Sequence, residues 1–194
     1  MKFSNPFDFF ADWFSQVSET PLDKPNAMVL STSSDDGLAV SRIVLLSSFS
    51  DKGFVFHSNY NSNKGKQLER NGRASLLFWW DDPGYQIRIE GHIEKTTAAE
   101  SDEYFSSRPR GSQIGAWASD QSSMIKSRDV LEQAVNRFEE QFRDKEVDRP
   151  PHWGGYRLKP EYFEFWINRD SRLHDRIEYK LNDKGQWDKA LLAP

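Results

Sequence analysis

Five short runs rich in β-branched and aromatic residues follow one another between Ala27 and Glu94, and this succession limits the fold more than any other feature of the chain. They cover residues 27–33, 38–48, 54–59, 73–80 and 85–94, with Asp36-Gly37, Lys52-Gly53 and Pro83-Gly84 marking the reversals. Strands joined by such tight turns pair antiparallel. The pattern returns at residues 162–167 and 176–181, and Asp183-Lys184-Gly185 makes a hairpin turn ahead of Trp187. So many strands in series leave exposed edges unless the sheet closes on itself, so a closed antiparallel barrel surrounded by helices is expected.

The helices are placed by their caps and apolar faces. Asn5-Pro6 followed by Phe10, Trp13, Phe14 and Val17 predicts a capped amphipathic helix within an N-terminal segment, residues 1–20, packed on the sheet. Ser62 caps a short helix that ends near Asn71-Gly72, and its N-terminus is suited to an anion. Thr97-Ala98-Ala99-Glu100 is a capping box opening a helix through Ser106, and Leu131, Val135, Phe138 and Phe142 mark another. With 194 residues, 37% of them apolar or aromatic, and neither repeat nor low-complexity linker, residues 1–194 are expected to form a single domain.

Charge narrows the range of partners. Lys and Arg total 26 against 30 Asp and Glu, a net −4, so nucleic acid and anionic membranes are not expected to bind. The cations cluster locally instead, at Ser107-Arg108-Pro109-Arg110 and between Arg169 and Arg176, which suits a small anion. Asp8 interrupts what would be a signal peptide's apolar stretch, and no run is long enough to span a bilayer, so a cytoplasmic location is expected. The chain has no Cys, which excludes disulfides and thiol chemistry, and its four His lack metal-ligand spacing, so no metal is expected.

Four groups of residues are candidates for chemistry. In an extended Arg172-Leu173-His174-Asp175-Arg176, the first, third and fifth side chains share a face with Trp166 nearby, which fits a planar anion; a solvated strand edge fits the same residues. Tyr104, Arg108 and Ser112, at a helix end and in the Pro- and Gly-containing loop after it, carry the donors that grip a phosphate, or make an ordinary charged loop. Arg42 lies within apolar Ile43-Val44-Leu45-Leu46 and must meet an anion there, either a neighbouring carboxylate or a ligand; Lys64 offers the same anion a second charge. Gln86, Gln121 and Ser122 are neutral groups able to hydrogen-bond a heterocycle. No glycine-rich dinucleotide or nucleoside-triphosphate motif is present.

Taken in order, Arg42-Ile43-Val44-Leu45-Leu46, Ser106-Ser107-Arg108-Pro109-Arg110, Ser112-Gln113-Ile114-Gly115-Ala116-Trp117, Gln121-Ser122-Ser123, Trp153-Gly154-Gly155, Glu164-Phe165-Trp166 and Arg172-Leu173-His174-Asp175-Arg176 resemble the pyridoxine/pyridoxamine 5′-phosphate oxidase family. The likeness runs from about Pro25 to Pro194. It implies an α+β, mainly β fold: an antiparallel split β-barrel with Greek-key character, homodimeric, with FMN in each of two interface clefts. By matching position, Arg42, Ile43, Val44, Leu45, Leu46, Ser47, His57, Ser58, Lys64, Gln86, Gln121, Ser122, Trp166 and Arg176 are implied to contact FMN. Tyr104, Arg108 and Ser112 are implied to hold the substrate phosphate, and Arg172 and His174 to face the substrate ring as catalytic residues. The implied reaction converts pyridoxine or pyridoxamine 5′-phosphate to pyridoxal 5′-phosphate, with O2 as acceptor and hydrogen peroxide released.

The chain departs from the family pattern in places. Ser47 stands where a Lys ordinarily ends the strand motif, Asn63-Lys64 where a basic pair is usual, and Lys24 where an acid often precedes the Pro. No Arg- and Tyr-containing arm precedes the first helix, and the expectation is a site without one. Ser47 and the uncharged residue 63 resemble flavin oxidases of phenazine biosynthesis, which act on ring compounds without phosphate. A flavin-binding protein without turnover is a third alternative, against which Arg172 and His174 argue.

Overall fold

The computed structural model of the protein describes residues 3–194. In chain order the elements are α1 (Pro6–Ser18), β1 (Ala27–Ser33), β2 (Ala39–Ser50), β3 (Gly53–Asn59), α2 (Asn63–Asn71), β4 (Arg73–Trp80), β5 (Tyr85–Lys95), α3 (Ala98–Ser106), α4 (Arg110–Ala118), α5 (Arg128–Gln141), β6 (Trp153–Ile167), a 3₁₀ turn (Asp170–Arg172), β7 (Asp175–Leu181) and β8 (Trp187–Leu192).

All strand pairs are antiparallel, in the order β3-β2-β1-β4-β5-β6-β7-β8, and a further pairing of β3 with β6 closes the first six into a barrel. Two three-strand meanders, β1-β2-β3 and β4-β5-β6, are thereby joined along both edges, so the expected closed barrel is present. β7 and β8 extend the sheet beyond it.

β6 belongs to both parts. Its residues 153–158 pair with β3, residues 162–167 with β7, and β5 runs along most of its length. The change of partner falls around Pro160, which has no N–H to give to a ladder. Here β6 carries one extra residue, Glu161, between Pro160 opposite Gly91 and Tyr162 opposite Glu90, a β-bulge. A methyl group on Gly91 would lie 1.9 Å from the Lys159 carbonyl oxygen, so only glycine lets the two backbones meet here.

The sequence pattern showed only the second half of β6, residues 162–167. Gly154, Gly155 and Pro160 hid the rest, because they carry no strand signal; a Cβ at Gly155 would lie 2.4 Å from the Thr96 hydroxyl. Two further corrections concern loops. Ser112, expected in a loop, lies in α4, whose two glycines lower its intrinsic propensity. That helix forms because Ile114 is buried with Phe105, Phe142, Val147 and Trp153, and because Trp117 donates to the Asp148 carbonyl at 2.7 Å. Arg172 is not in an extended run: it ends the 3₁₀ turn at φ 61°, next to Ser171 at φ 57°.

The barrel core is mostly aromatic. The Asn5 side chain accepts from the Phe7 N–H at 2.9 Å and Pro6 opens α1, as its cap predicts. Phe10, fully buried, enters the core with its ring 4.8–5.2 Å from those of Phe49, Phe54 and Phe78. Burial of one such side chain contributes about 1.5–3 kcal/mol. Alternation along β2 turns Val44 and Leu46 towards the core and leaves Ile43 and Leu45 on the outer face, where Trp79 is also exposed. Among the described residues, no helix is long and apolar enough to cross a membrane.

Replacing Gly91 by Ala should destabilise the fold by about 1–3 kcal/mol, since the clashing atom is backbone and cannot rotate away. Urea unfolding of the variant checks this, and an unchanged midpoint would show that the β5–β6 approach is looser than described.

Candidate functional site

A cleft of about 480 Å³ opens between the outer face of the barrel and the helices that follow β5. Ile43, Val44 and Leu45 of β2, His57 and Ser58 of β3, and Lys64 of α2 line one side, with Gln121 from the loop after α4. Tyr104, Arg108 and Ser112 line the other, with Trp153 at the base of β6. The structure thus joins two groups that lie far apart in sequence.

Lys64 and Arg42 form one centre of positive charge. Ser62 caps α2 by accepting from the Gly65 N–H, and Lys64 on the first turn reaches Gln121 Oε1 at 2.7 Å, Ser58 Oγ at 3.0 Å and Ser62 Oγ at 3.3 Å. Burial, and then the charge of Arg42, push the Lys64 ammonium below its ordinary pKa. Arg42 Nη1 donates to the Leu30 carbonyl at 3.1 Å and to Thr32 Oγ1 at 2.6 Å, and Nη2 donates to Gln67 Oε1 at 3.1 Å. Neither cation pairs with a carboxylate among the described residues, so of the two anions the sequence allowed for Arg42, the carboxylate is not there. Like charges held close by neutral groups alone suit an anion with two charges to share.

Arg108 is the second centre. Its guanidinium carbon lies 4.6 Å from the Trp153 ring centroid, and its Nη1 is buried without a hydrogen-bond partner. Burial lowers its pKa while Tyr104 raises it. A buried donor without a partner costs about 1–3 kcal/mol, a deficit that an anionic oxygen in the cleft would remove. His57 stacks on Tyr104 at 3.9 Å and on Trp153 at 5.1 Å, and its Nδ1 is likewise buried and unpartnered. Burial first, then the charge of Arg108, push the imidazole down to about 4.

The third group lies apart from the cleft. Gln86, Trp166 and Arg176 stand side by side across β5, β6 and β7. The Trp166 ring is 4.3 Å from His174, whose Nδ1 accepts from the Arg169 N–H at 3.2 Å. Arg176 Nε donates to Glu164 at 2.8 Å and its Nη1 to the Ala193 carbonyl at 2.9 Å. Burial opposes ionisation of Glu164, yet the hydrogen bond from Arg176 and the charge of Arg88 hold its carboxyl below the usual range. Arg172 is exposed beside this face.

Some expected contacts fall outside the cleft. The Leu46 side chain packs in the core, leaving only its backbone for a ligand. Ser47 sits at a β-bulge, its hydroxyl donating to the Val55 carbonyl at 3.0 Å, and it faces an adjoining hollow of about 390 Å³ with Glu100 and Glu103. Ser122, at φ 77°, accepts from the Asn63 N–H at 3.2 Å, tying its loop to the start of α2. Thr32, Gln67 and Trp153 were not singled out from the sequence. Nothing in the spacing of Thr32 or Gln67 reveals that they converge on Arg42, whereas Trp153 lay within a motif already quoted.

Known proteins show the same arrangement of sequence. Residues 15–142 match the family model described as pyridoxamine 5′-phosphate oxidase, and residues 153–194 match the pyridoxine 5′-phosphate oxidase C-terminal dimerisation region. A pyridoxine/pyridoxamine 5′-phosphate oxidase from a Cyanothece species is 50% identical over 190 residues, covering 98% of this chain and 89% of that protein. One from Bordetella pertussis is 51% identical over 191 residues, covering 98% and 90%. Among solved structures, PhzG from Burkholderia lata, in complex with tetrahydrophenazine-1-carboxylic acid, superposes with a TM-score of 0.93 at 30% identity, covering all of this chain and 94% of that one. An FMN-binding protein from Nostoc punctiforme related to pyridoxamine 5′-phosphate oxidase has a TM-score of 0.78 at 14% identity, covering 100% and 99%, a likeness of fold alone.

His57 should remain neutral across the physiological range. Its folded pKa, about 4, lies below the unfolded value of 6.5, so its contribution to stability is complete above pH 6.5 and is lost as pH falls towards 4. An NMR titration of the imidazole checks this, and a midpoint near 6.5 would refute its burial between the rings.

Proposed function

The chain belongs to the pyridoxine/pyridoxamine 5′-phosphate oxidase family, and on that premise we propose that it oxidises pyridoxine or pyridoxamine 5′-phosphate to pyridoxal 5′-phosphate with FMN and O2. The observation that carries the phosphate specificity is the buried, unpartnered Nη1 of Arg108 in the cleft. Tyr104 and Ser112 line the same wall and add hydroxyl donors around the remaining phosphate oxygens.

Arg42 and Lys64, close together and without carboxylates among the described residues, fit the second phosphate the reading requires, that of the coenzyme. FMN, when bound, supplies the hydride acceptor. The substrate alcohol loses a hydride from C4′ and a proton from its hydroxyl; O2 takes the two electrons and, with two protons, leaves as hydrogen peroxide. With the amine, water enters in addition and ammonia leaves.

Gln86, Trp166, Arg172, His174 and Arg176 do not line the cleft, so in this reading they serve the cleft of a second copy. Exposed Ile43, Leu45 and Trp79 on the barrel's outer face, and the match of residues 153–194 to a dimerisation region, support a homodimer with two shared sites. The Arg169 N–H donates to His174 Nδ1, so Nε2 is the ring nitrogen that faces the substrate's ring substituents in this reading. Arg176, held by Glu164 and Ala193, brings a fixed positive charge to the flavin ring.

Ser47 favours a second reading. It is uncharged, its hydroxyl is engaged by Val55, and the 30% identical PhzG was solved with a carboxylated ring compound that carries no phosphate. The same site would then oxidise a reduced ring acid.

The purified protein should be a yellow dimer and release peroxide with pyridoxine or pyridoxamine 5′-phosphate. Peroxide only from a reduced phenazine carboxylic acid would establish the second reading, and a colourless monomer that takes up no FMN would end both. Arg108→Ala should raise KM for the phosphorylated substrates about ten- to a hundredfold, as loss of a charge-assisted hydrogen bond of about 1.5–3 kcal/mol requires. Ser47→Lys should lower it, and steady-state kinetics reads both changes.

A further inference from the structure

Gln67 lies one turn beyond Lys64 on α2, and its side-chain oxygen receives two hydrogen bonds from the strands beneath: Arg42 Nη2 at 3.1 Å and Thr32 Oγ1 at 2.6 Å. Thr32, itself 5% exposed, accepts from Arg42 Nη1 at 2.6 Å in turn. The three side chains form a closed ring in which the guanidinium is fixed in place by neutral oxygens.

An arginine half sunk in a sheet is ordinarily matched by Asp or Glu, because a carboxylate repays the cost of removing the charge from water. A glutamine in that position gives the same acceptor oxygen and the same reach but no charge. Lys64 is treated alike, its acceptors being Gln121, Ser58 and Ser62.

We propose that Gln67 is a positioning residue that holds Arg42 for the coenzyme phosphate while leaving its charge unneutralised. The inference rests on the FMN reading given above. Phosphate ester affinity then depends on the side chain being neutral as well as on its shape.

The test uses the full-length protein stripped of flavin, titrated with FMN and with riboflavin, which shares the ring but has no phosphate. Both are read by quenching of flavin fluorescence. Gln67→Glu, nearly isosteric, should weaken FMN at least about tenfold and leave riboflavin affinity and the melting temperature of the flavin-free protein unchanged or higher, because the new carboxylate pairs with Arg42. Gln67→Leu, which frees Arg42 without neutralising it, should lose less FMN affinity than Gln67→Glu. Equal FMN affinity in wild type and Gln67→Glu would overturn the inference while leaving the coenzyme in place, as would a parallel loss of FMN and riboflavin with a lower melting temperature, the mark of a structural role. A wild-type protein that binds neither flavin would overturn the reading on which the inference rests.

Discussion

The antiparallel pairing of β3 with β6 is the constraint on which the rest depends. It closes the barrel, and it also carries His57 opposite Gly155 and Ser58 opposite Gly154, so the floor of the cleft is made by the same ladder that seals the core. The closure requires one strand to serve two partners in succession. Pro160 and Gly91 meet this need by opposite means, one by withholding a donor and the other by taking up no space. Beyond that point β6 departs with β7 and β8, and Trp166 and Arg176 go with it, outside the lining of the cleft.

The cleft and the adjoining network of Arg42, which does not itself line it, are built against the usual economy of folded proteins. Arg42, Lys64 and Arg108 are each drawn partly out of water, and each is met by a neutral group, an aromatic face or nothing at all. Elsewhere the same chain follows the ordinary rule: Arg157 pairs with Glu94 and Glu100, Arg149 with Asp102, and Arg88 with Glu90 and Glu164. The contrast sets the cleft apart from the general surface, because uncompensated charge lowers stability unless an anion arrives to repay it.

A division of labour follows from the geometry. One part of the chain gathers cations suited to phosphate groups, and another presents a flat aromatic, a histidine and an arginine suited to a planar ring. A single copy does not bring them together, which under the proposed function assigns the chemistry to a homodimer, in keeping with the dimerisation-region match of residues 153–194 and with exposed Ile43, Leu45 and Trp79.

Much of this was legible from residues alone. Alternation and turn chemistry located β1 and β4 to the residue and the other early strands within one or two; Asn5, Ser62 and Thr97 marked helix starts because a cap is a local hydrogen bond. The ordered motifs from Arg42 to Arg176 disclosed the family. The first half of β6, the helix around Ile114 and the left-handed turn at Arg172 were hidden, since each exists only through burial or closure supplied by distant residues. The sequence by itself determined which residues pair locally, which enter a core and which chemistry they can offer. Tertiary structure alone decided that Thr32, Arg42 and Gln67 meet, that Arg108 faces Trp153 without a partner, and that the two halves of the site lie apart, because such contacts join residues whose separation along the chain encodes nothing about their distance in space.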